Sequence, residues 1–111
     1  MKANSIGDQL GLECIVPSDS ERDLSTGYTS DLLSDVMAHA QEDCALITIQ
    51  SHKNTVAVAT LVGASLIIIC NNRNIPDDMI QSCKEEQVGL YRTTHTQFQI
   101  SGKLYQLLAT A

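Results

Sequence analysis

Three short polar segments carry most of the groups in this chain that could do chemistry. They are Ser51-His52-Lys53-Asn54, Asn71-Asn72-Arg73-Asn74 and Thr93-Thr94-His95-Thr96. Each combines hydroxyl, amide, imidazole or cationic groups, and each stands just before a stretch that reads as a helix. The first turn of a helix has free backbone N–H groups that favour anions. The chemistry these segments fit is therefore the holding of a phosphate. Ser51, His52, Lys53, Asn54, Asn72, Arg73, Thr93, Thr94, His95 and Thr96 are the candidate ligand-binding residues. Ser, Thr and Asn are also the commonest helix caps, so capping alone is the competing expectation for each segment. His52 or His95 beside Ser51, Thr93 or Thr94 is what a general base would need. The fingerprints of a P-loop, a dinucleotide-binding turn and a nucleophile elbow are all missing from the sequence. The expectation is a binding module, not an enzyme, with no catalytic residue and no cofactor.

The remaining reactive side chains point to structural roles. Cys14, Cys44, Cys70 and Cys83 form no Cys-x-x-Cys pair and no zinc-ligand spacing. Cys14 and Cys70 lie in apolar strand-like runs and Cys44 opens another, while Cys83 lies in a polar helical segment. Reduced structural thiols in a cytoplasmic protein are expected, with no metal site. His39 is placed to meet carbonyls at a helix end. Asp31 and Asp35 lie one turn apart on a polar stripe, solvated or interacting near the helix start. Met37 is expected in the core.

Elements that position these residues follow from periodicity. Ser5 to Leu10 reads as a short helix ended by Gly11, and Leu12 to Val16 as a strand stopped by Pro17. Ser18 to Thr26 reads as a loop, with a small extended piece at Arg22 to Ser25. Leu32, Leu33, Val36, Met37 and Ala40 make one stripe of a helix from Ser30 to Gln41, capped by Thr29 or Ser30. Cys44 to Gln50 is a strand. Asn54 to Leu61 is apolar almost all round and suits a buried helix ending at Gly63. Ala64 to Cys70, with Ile67, Ile68 and Ile69, is the mark of a strand covered on both faces. Pro76 opens a helix to Gln87, helped by Asp77 and Asp78. Val88 to Arg92 is a last strand. Thr96 to Ala109 is a last helix, with Phe98, Leu104, Leu107 and Leu108 inward. Gly102 within it implies close packing of another backbone. The first few residues and the last two are expected to fray.

Strand and helix in alternation mean α/β architecture with right-handed crossovers. The expected fold is a single three-layer domain over residues 1–111. It has a mainly parallel sheet of about four strands, with helices on both faces. In such sheets ligands bind outside the carboxyl ends of the strands, where all three polar segments fall.

Composition narrows the partners. The net charge is −6 at pH 7, with 18% of the residues charged. A surface that neutralises nucleic-acid phosphates needs a basic stripe, so no nucleic acid is expected. Val56 to Val62 and Ala64 to Cys70, the longest mainly apolar stretches, fall short of the roughly 20 residues a membrane span needs. No apolar leader follows Met1. The expectation is a cytoplasmic protein with no membrane partner.

Several stretches resemble the DRTGG domain family, in particular its small stand-alone members. They are Tyr28 to Met37, Ile47 to Ala59, Ala64 to Ile69, Leu90 to Phe98 and Gly102 to Leu104. The five letters that name the family do not occur here, so the resemblance rests on the wider pattern. The family is similar to the N-terminal domain of HPr kinase/phosphorylase. It also occurs beside CBS domains in pyrophosphatases, where the region responds to adenine nucleotides, and in front of phosphotransacetylases. Stand-alone members are often encoded beside iron-only hydrogenases. The resemblance implies a regulatory or accessory module that binds a phosphate-bearing ligand, an adenine nucleotide among the candidates. The alternative it implies is a ligand-free protein that forms a homodimer and docks on a hydrogenase or other redox enzyme.

Overall fold

A one-turn 3₁₀ helix at Ala3–Ser5 leads into α1 (Ile6–Leu10), which Gly11 closes in the left-handed conformation at φ 67°. The structure, a computed structural model, describes residues 1–110. After α1 the chain runs through β1 (Glu13–Val16), β2 (Thr26–Thr29), α2 (Leu33–His39), β3 (Cys44–Thr48) and α3 (Lys53–Val62). It continues through β4 (Leu66–Ile69), α4 (Asp77–Glu86), β5 (Gly89–Arg92) and α5 (Gln97–Thr110). The sheet order is β1-β5-β4-β3-β2. Strands β2, β3, β4 and β5 are parallel. They are the four-stranded parallel sheet expected from the sequence, and β1 adds an antiparallel edge against β5.

The period-2 alternation of the strands feeds two separate cores. In β4, Ile67 and Ile69 join one and Leu66 and Ile68 the other; in β3, Leu46 joins the first and Ile47 the second. Each such buried side chain stabilises the fold by about 2 kcal/mol. Val36 of α2, Val56 of α3 and Met79 of α4 close the first core. Ile6 of α1 and Ile100 and Leu104 of α5 close the second. The architecture is thus helix, sheet, helix, with three successive crossover helices on one face.

Several local expectations are corrected. Helix α2 starts at Leu33, and its N-cap residue Leu32 offers no side-chain cap. Asp31 is therefore a loop residue, not part of a helical stripe. Its carboxylate bonds into the neighbouring strand end. Of the apolar stripe on this short helix only Val36 is buried, while Leu32 and Met37 are exposed. In α5, Ile100 and Leu104 face the sheet. Phe98 stands two residues from Ile100, about 200° round a helix, so it points to solvent instead of inward. Gly102 lies on that outer side, and a Cβ there would meet nothing within 4 Å. Helix α3 is buried along one side only: Ala57, Thr60 and Leu61 are exposed.

Cys14 is exposed on the edge strand and Cys83 is buried, the reverse of their sequence settings. Strand β2 lies beyond the small extended piece expected at Arg22 to Ser25, where only an isolated bridge joins Lys2 to Asp23. The first residues are tied down. Ala3 is fully buried, its N–H bonds Arg22 O at 2.8 Å, and the Met1 amine bonds Leu24 O at 3.2 Å. Thr110 lies within α5, and the expectation for Ala111 falls outside the described residues.

Candidate functional site

The loops that follow the parallel strands are bonded to one another along the carboxyl edge of the sheet. Asp31, after β2, accepts three hydrogen bonds on its Oδ1 atom. They come from Thr48 Oγ1 at 2.8 Å, Ile49 N at 2.9 Å and Gln97 Nε2 at 3.0 Å. One carboxylate oxygen thus joins the ends of β2 and β3 to the start of α5. Ser51, after β3, donates its hydroxyl to Asn74 O in the loop after β4. That loop is joined in turn to the loop after β5, through Asn71 N to His95 O at 3.0 Å and Asn72 N to Thr93 O at 2.8 Å.

Asn71 and Asn72 sit at φ 61° and 51°, a region asparagine tolerates better than most residues. Helix α4 leaves β4 on one face of the sheet and α5 leaves β5 on the other. Diverging connections of this kind open a crevice in α/β sheets. Here the two asparagine backbone bonds cross it.

Many polar groups predicted for ligand binding also serve local structure. His52 is the N-cap of α3, and its Nδ1 accepts from Asn54 N at 3.0 Å. Thr93 is buried, and its hydroxyl accepts from His95 N at 3.1 Å. Thr96 and Gln99 make reciprocal bonds at the start of α5, Thr96 N to Gln99 Oε1 at 3.0 Å and Gln99 N to Thr96 Oγ1 at 3.3 Å. That is a capping box. His95 Nδ1 lies 3.2 Å from the same glutamine oxygen. Lys53, Asn54, Asn72, Arg73 and Thr94 are exposed. Among the described residues, the ion pairs engage neither Lys53 nor Arg73. Because Ser51 bonds Asn74, the loops carrying these two cations are neighbours.

Asp31 and Gln97 are the residues of this edge that sequence reasoning missed. Their signal was faint: an acid near a helix start reads as a solvated residue unless its strand-end partners are known. Burial, with a smaller contribution from the Asp31 charge, pushes the Cys70 thiol up to about 11. Burial alone pushes Cys83 up to about 12, and burial also raises Cys44. Thiolate is the reacting species. At pH 8 a disulfide reagent such as Ellman's should therefore modify only exposed Cys14 quickly. The other three thiols should react only on unfolding. Fast modification of two or more thiols in the native chain would contradict this burial.

A second polar cluster ties β2 to α2. Tyr28 donates to Asp35 Oδ2 at 2.8 Å, and His39 Nδ1 lies 3.1 Å from Asp35 Oδ1 and 3.3 Å from Asp35 O. The Tyr28 hydroxyl, with lesser help from Ser30 and His39, holds the Asp35 carboxyl below its ordinary range. The same bond raises Tyr28. His39 thus meets the side chain and carbonyl of Asp35, one turn back in its own helix, and not the terminal carbonyls expected from its position.

A groove of about 490 Å³ lies elsewhere, between edge strand β2 and α5. None of the residues that line it belongs to the three polar segments. Its floor is shaped by Gly27, where a Cβ would come within 2.8 Å of Leu104 Cδ2. Helix α5 lies that close to the strand.

No protein-family model matches the chain, and no curated protein matches it either. A solved structure does. It is the crystal structure of the CBS and DRTGG domains of the regulatory region of a Clostridium perfringens pyrophosphatase, complexed with its activator diadenosine tetraphosphate. The TM-score is 0.72 at 15% sequence identity, over 95% of this chain and 46% of that one. This chain therefore spans less than half the length of its structural neighbour. The likeness is one of fold, and it bears out the DRTGG-like fold expected from the sequence.

Proposed function

We propose that the chain is a regulatory or accessory module, not an enzyme, and that it binds a phosphate-bearing ligand at the carboxyl edge of its sheet. An adenine nucleotide is the first candidate. The observation that carries this reading is the pair Lys53 and Arg73. Both are exposed and outside the ion pairs, on loops held together by the Ser51–Asn74 bond. The fold neighbour, crystallised with a nucleotide activator, supports the same reading. The hydroxyls and imidazoles at the edge already hold backbone groups as caps, which favours binding over catalysis.

Thermal unfolding with ATP, AMP, diadenosine tetraphosphate and inorganic phosphate tests it. A ligand at 100 times its dissociation constant should add about 2.7 kcal/mol, raising Tm by about 10 °C. Lys53→Ala and Arg73→Ala should each weaken binding about ten-fold while leaving the Tm of the free chain unchanged. No shift with any of the four at millimolar concentration would overturn the reading.

A second reading is an interaction protein that pairs with itself or docks on a hydrogenase or other redox enzyme. Exposed Phe98 and Tyr105 favour it, because large apolar side chains on one stripe of a helix, two turns apart, mark a contact surface.

A further inference from the structure

A third cation stands at the carboxyl edge, and an acid of the same chain holds it. Arg92 ends β5 and pairs across the sheet with Glu13, which opens β1. Its guanidinium takes both carboxylate oxygens: Nε donates to Oε1 at 2.9 Å and Nη2 to Oε2 at 3.2 Å. Strand β1 runs antiparallel to β5. It therefore brings its first residue to this edge, where the parallel strands bring their last.

The register sets Arg92 beside the two cations of the candidate site. Thr48 of β3 pairs with Ile69 of β4, and Ile69 with Arg92, so the three strands end on one row. Lys53 follows β3, Arg73 follows β4 and Arg92 closes β5, in the spatial order of the strands. The row spans two strand spacings, about 10 Å. Asn72, next to Arg73, donates its N–H to the carbonyl of Thr93, next to Arg92, at 2.8 Å. Alternation along β5 puts Arg92 on the face of Leu90, the face covered by α3, which Lys53 opens.

We propose that Arg92 is the third phosphate-binding residue of this edge and that Glu13 is its internal competitor, a carboxylate held where the end phosphate of a bound oligophosphate goes. The proposal rests on the reading of the edge as a phosphate site. It names the ligand class for that site: a chain of linked phosphates laid across the ends of β3, β4 and β5, in preference to a single phosphate. A carboxylate and a phosphate each offer an arginine fork two oxygens in parallel, so Glu13 fills the geometry that a phosphate uses.

The pair is also built to open. The side chain of Glu13 is 53% exposed and that of Arg92 26%, so the arginine is the recessed partner and the acid the outer one. An exposed pair of this kind holds by about five-fold at most, and a phosphate chain brings several negative charges against the single charge of Glu13. Among the described residues Glu13 is the acid that pairs with Arg92. Asp77 and Asp78, in the first turn of α4 on the same face, belong to none of the ion pairs there.

Titration calorimetry of the full chain with tripolyphosphate and with orthophosphate tests this. Tripolyphosphate should bind the wild type the more tightly. Arg92→Lys keeps the charge and loses the fork. It should weaken tripolyphosphate about ten-fold and orthophosphate hardly at all, with an unchanged circular dichroism spectrum. Glu13→Gln should tighten tripolyphosphate about five-fold. That gain should vanish when Glu13→Gln is added to Arg92→Ala, because the two residues act through one contact. A gain that survives without Arg92 would overturn the competition, leaving Glu13 as one more negative charge. Binding that falls in Lys53→Ala and Arg73→Ala but in neither Arg92 variant would overturn the proposal and leave the two-cation site standing. No binding of either probe, to the wild type or to Glu13→Gln, would overturn both.

Discussion

Replacing Gly89 with alanine should lower the stability of the chain by about 3 kcal/mol. Gly89 opens β5, and the segment after β1 crosses directly over it. A Cβ at this position would collide with Ser18 Oγ and come within 3.1 Å of both Ser18 Cβ and Leu66 Cβ. Ser18 has little room to yield, because its hydroxyl lies 3.1 Å from the buried Tyr91 hydroxyl and its N–H donates to that oxygen at 3.2 Å. Relief of the clash must therefore break a buried polar contact or bend a central strand. At about 4 °C per kcal/mol, Tm should fall by about 12 °C. Thermal or urea unfolding measures it. A fall below about 3 °C would show that the crossing segment moves aside easily. In that case Ser18→Ala should be silent as well.

The second large effect is expected at Asp31. Asp31→Ala would leave Thr48 Oγ1, Ile49 N and Gln97 Nε2 without their shared acceptor. The loss should cost about 3 kcal/mol, since bonds to a charged group are strong and partly buried donors are left over. Hydrogen exchange should localise the damage. The first turn of α5 and the end of β3 should exchange faster, while α4 stays protected. Asp31→Asn keeps an acceptor oxygen and should cost much less. It also removes a negative charge from the edge proposed to hold phosphate, so a phosphate ligand should bind that variant a few-fold tighter. Equal loss in both variants would show that the charge, and not the geometry of the acceptor, holds the loops together.

How much of this was legible in the sequence differs from element to element. The run from Ala64 to Cys70 could be read directly, because its centre, Leu66 to Ile69, is aliphatic at four successive positions, as in a strand covered on both faces, and all of the run is buried. Pro76 with Asp77 and Asp78 placed the start of α4 for equally local reasons. Strand β2 was not legible as a strand: its four residues are Thr, Gly, Tyr and Thr, half exposed, with no repeat long enough to show a period. It owes its conformation to pairing with β3, a tertiary effect. Phe98 was misjudged because hydrophobicity says that a side chain prefers burial, while the register of Ile100 and Leu104 decides which side of α5 is buried. At the candidate site, the polar segments were placed correctly on one edge by the α/β rule. The sequence could not show that several of their hydroxyls and imidazoles cap neighbouring backbone, or that Asp31 is what ties the edge together.

The placement of α5 bears on how the protein comes into being. Strands β2 to β5 and the helices between them can assemble in chain order, each against its predecessor, and this closes one face of the sheet as it goes. The opposite face carries Ala45, Ile47, Leu66 and Ile68, and waits for Ile100 and Leu104. Those side chains lie in the last element, the 14 residues of α5. A nascent or truncated chain that lacks this helix has a finished sheet whose second face is covered only by α1 and the N-terminal segment, the kind of partly exposed species that aggregates. The fold therefore stays vulnerable until α5 has been made, and α5 serves as the cover that ends the exposure.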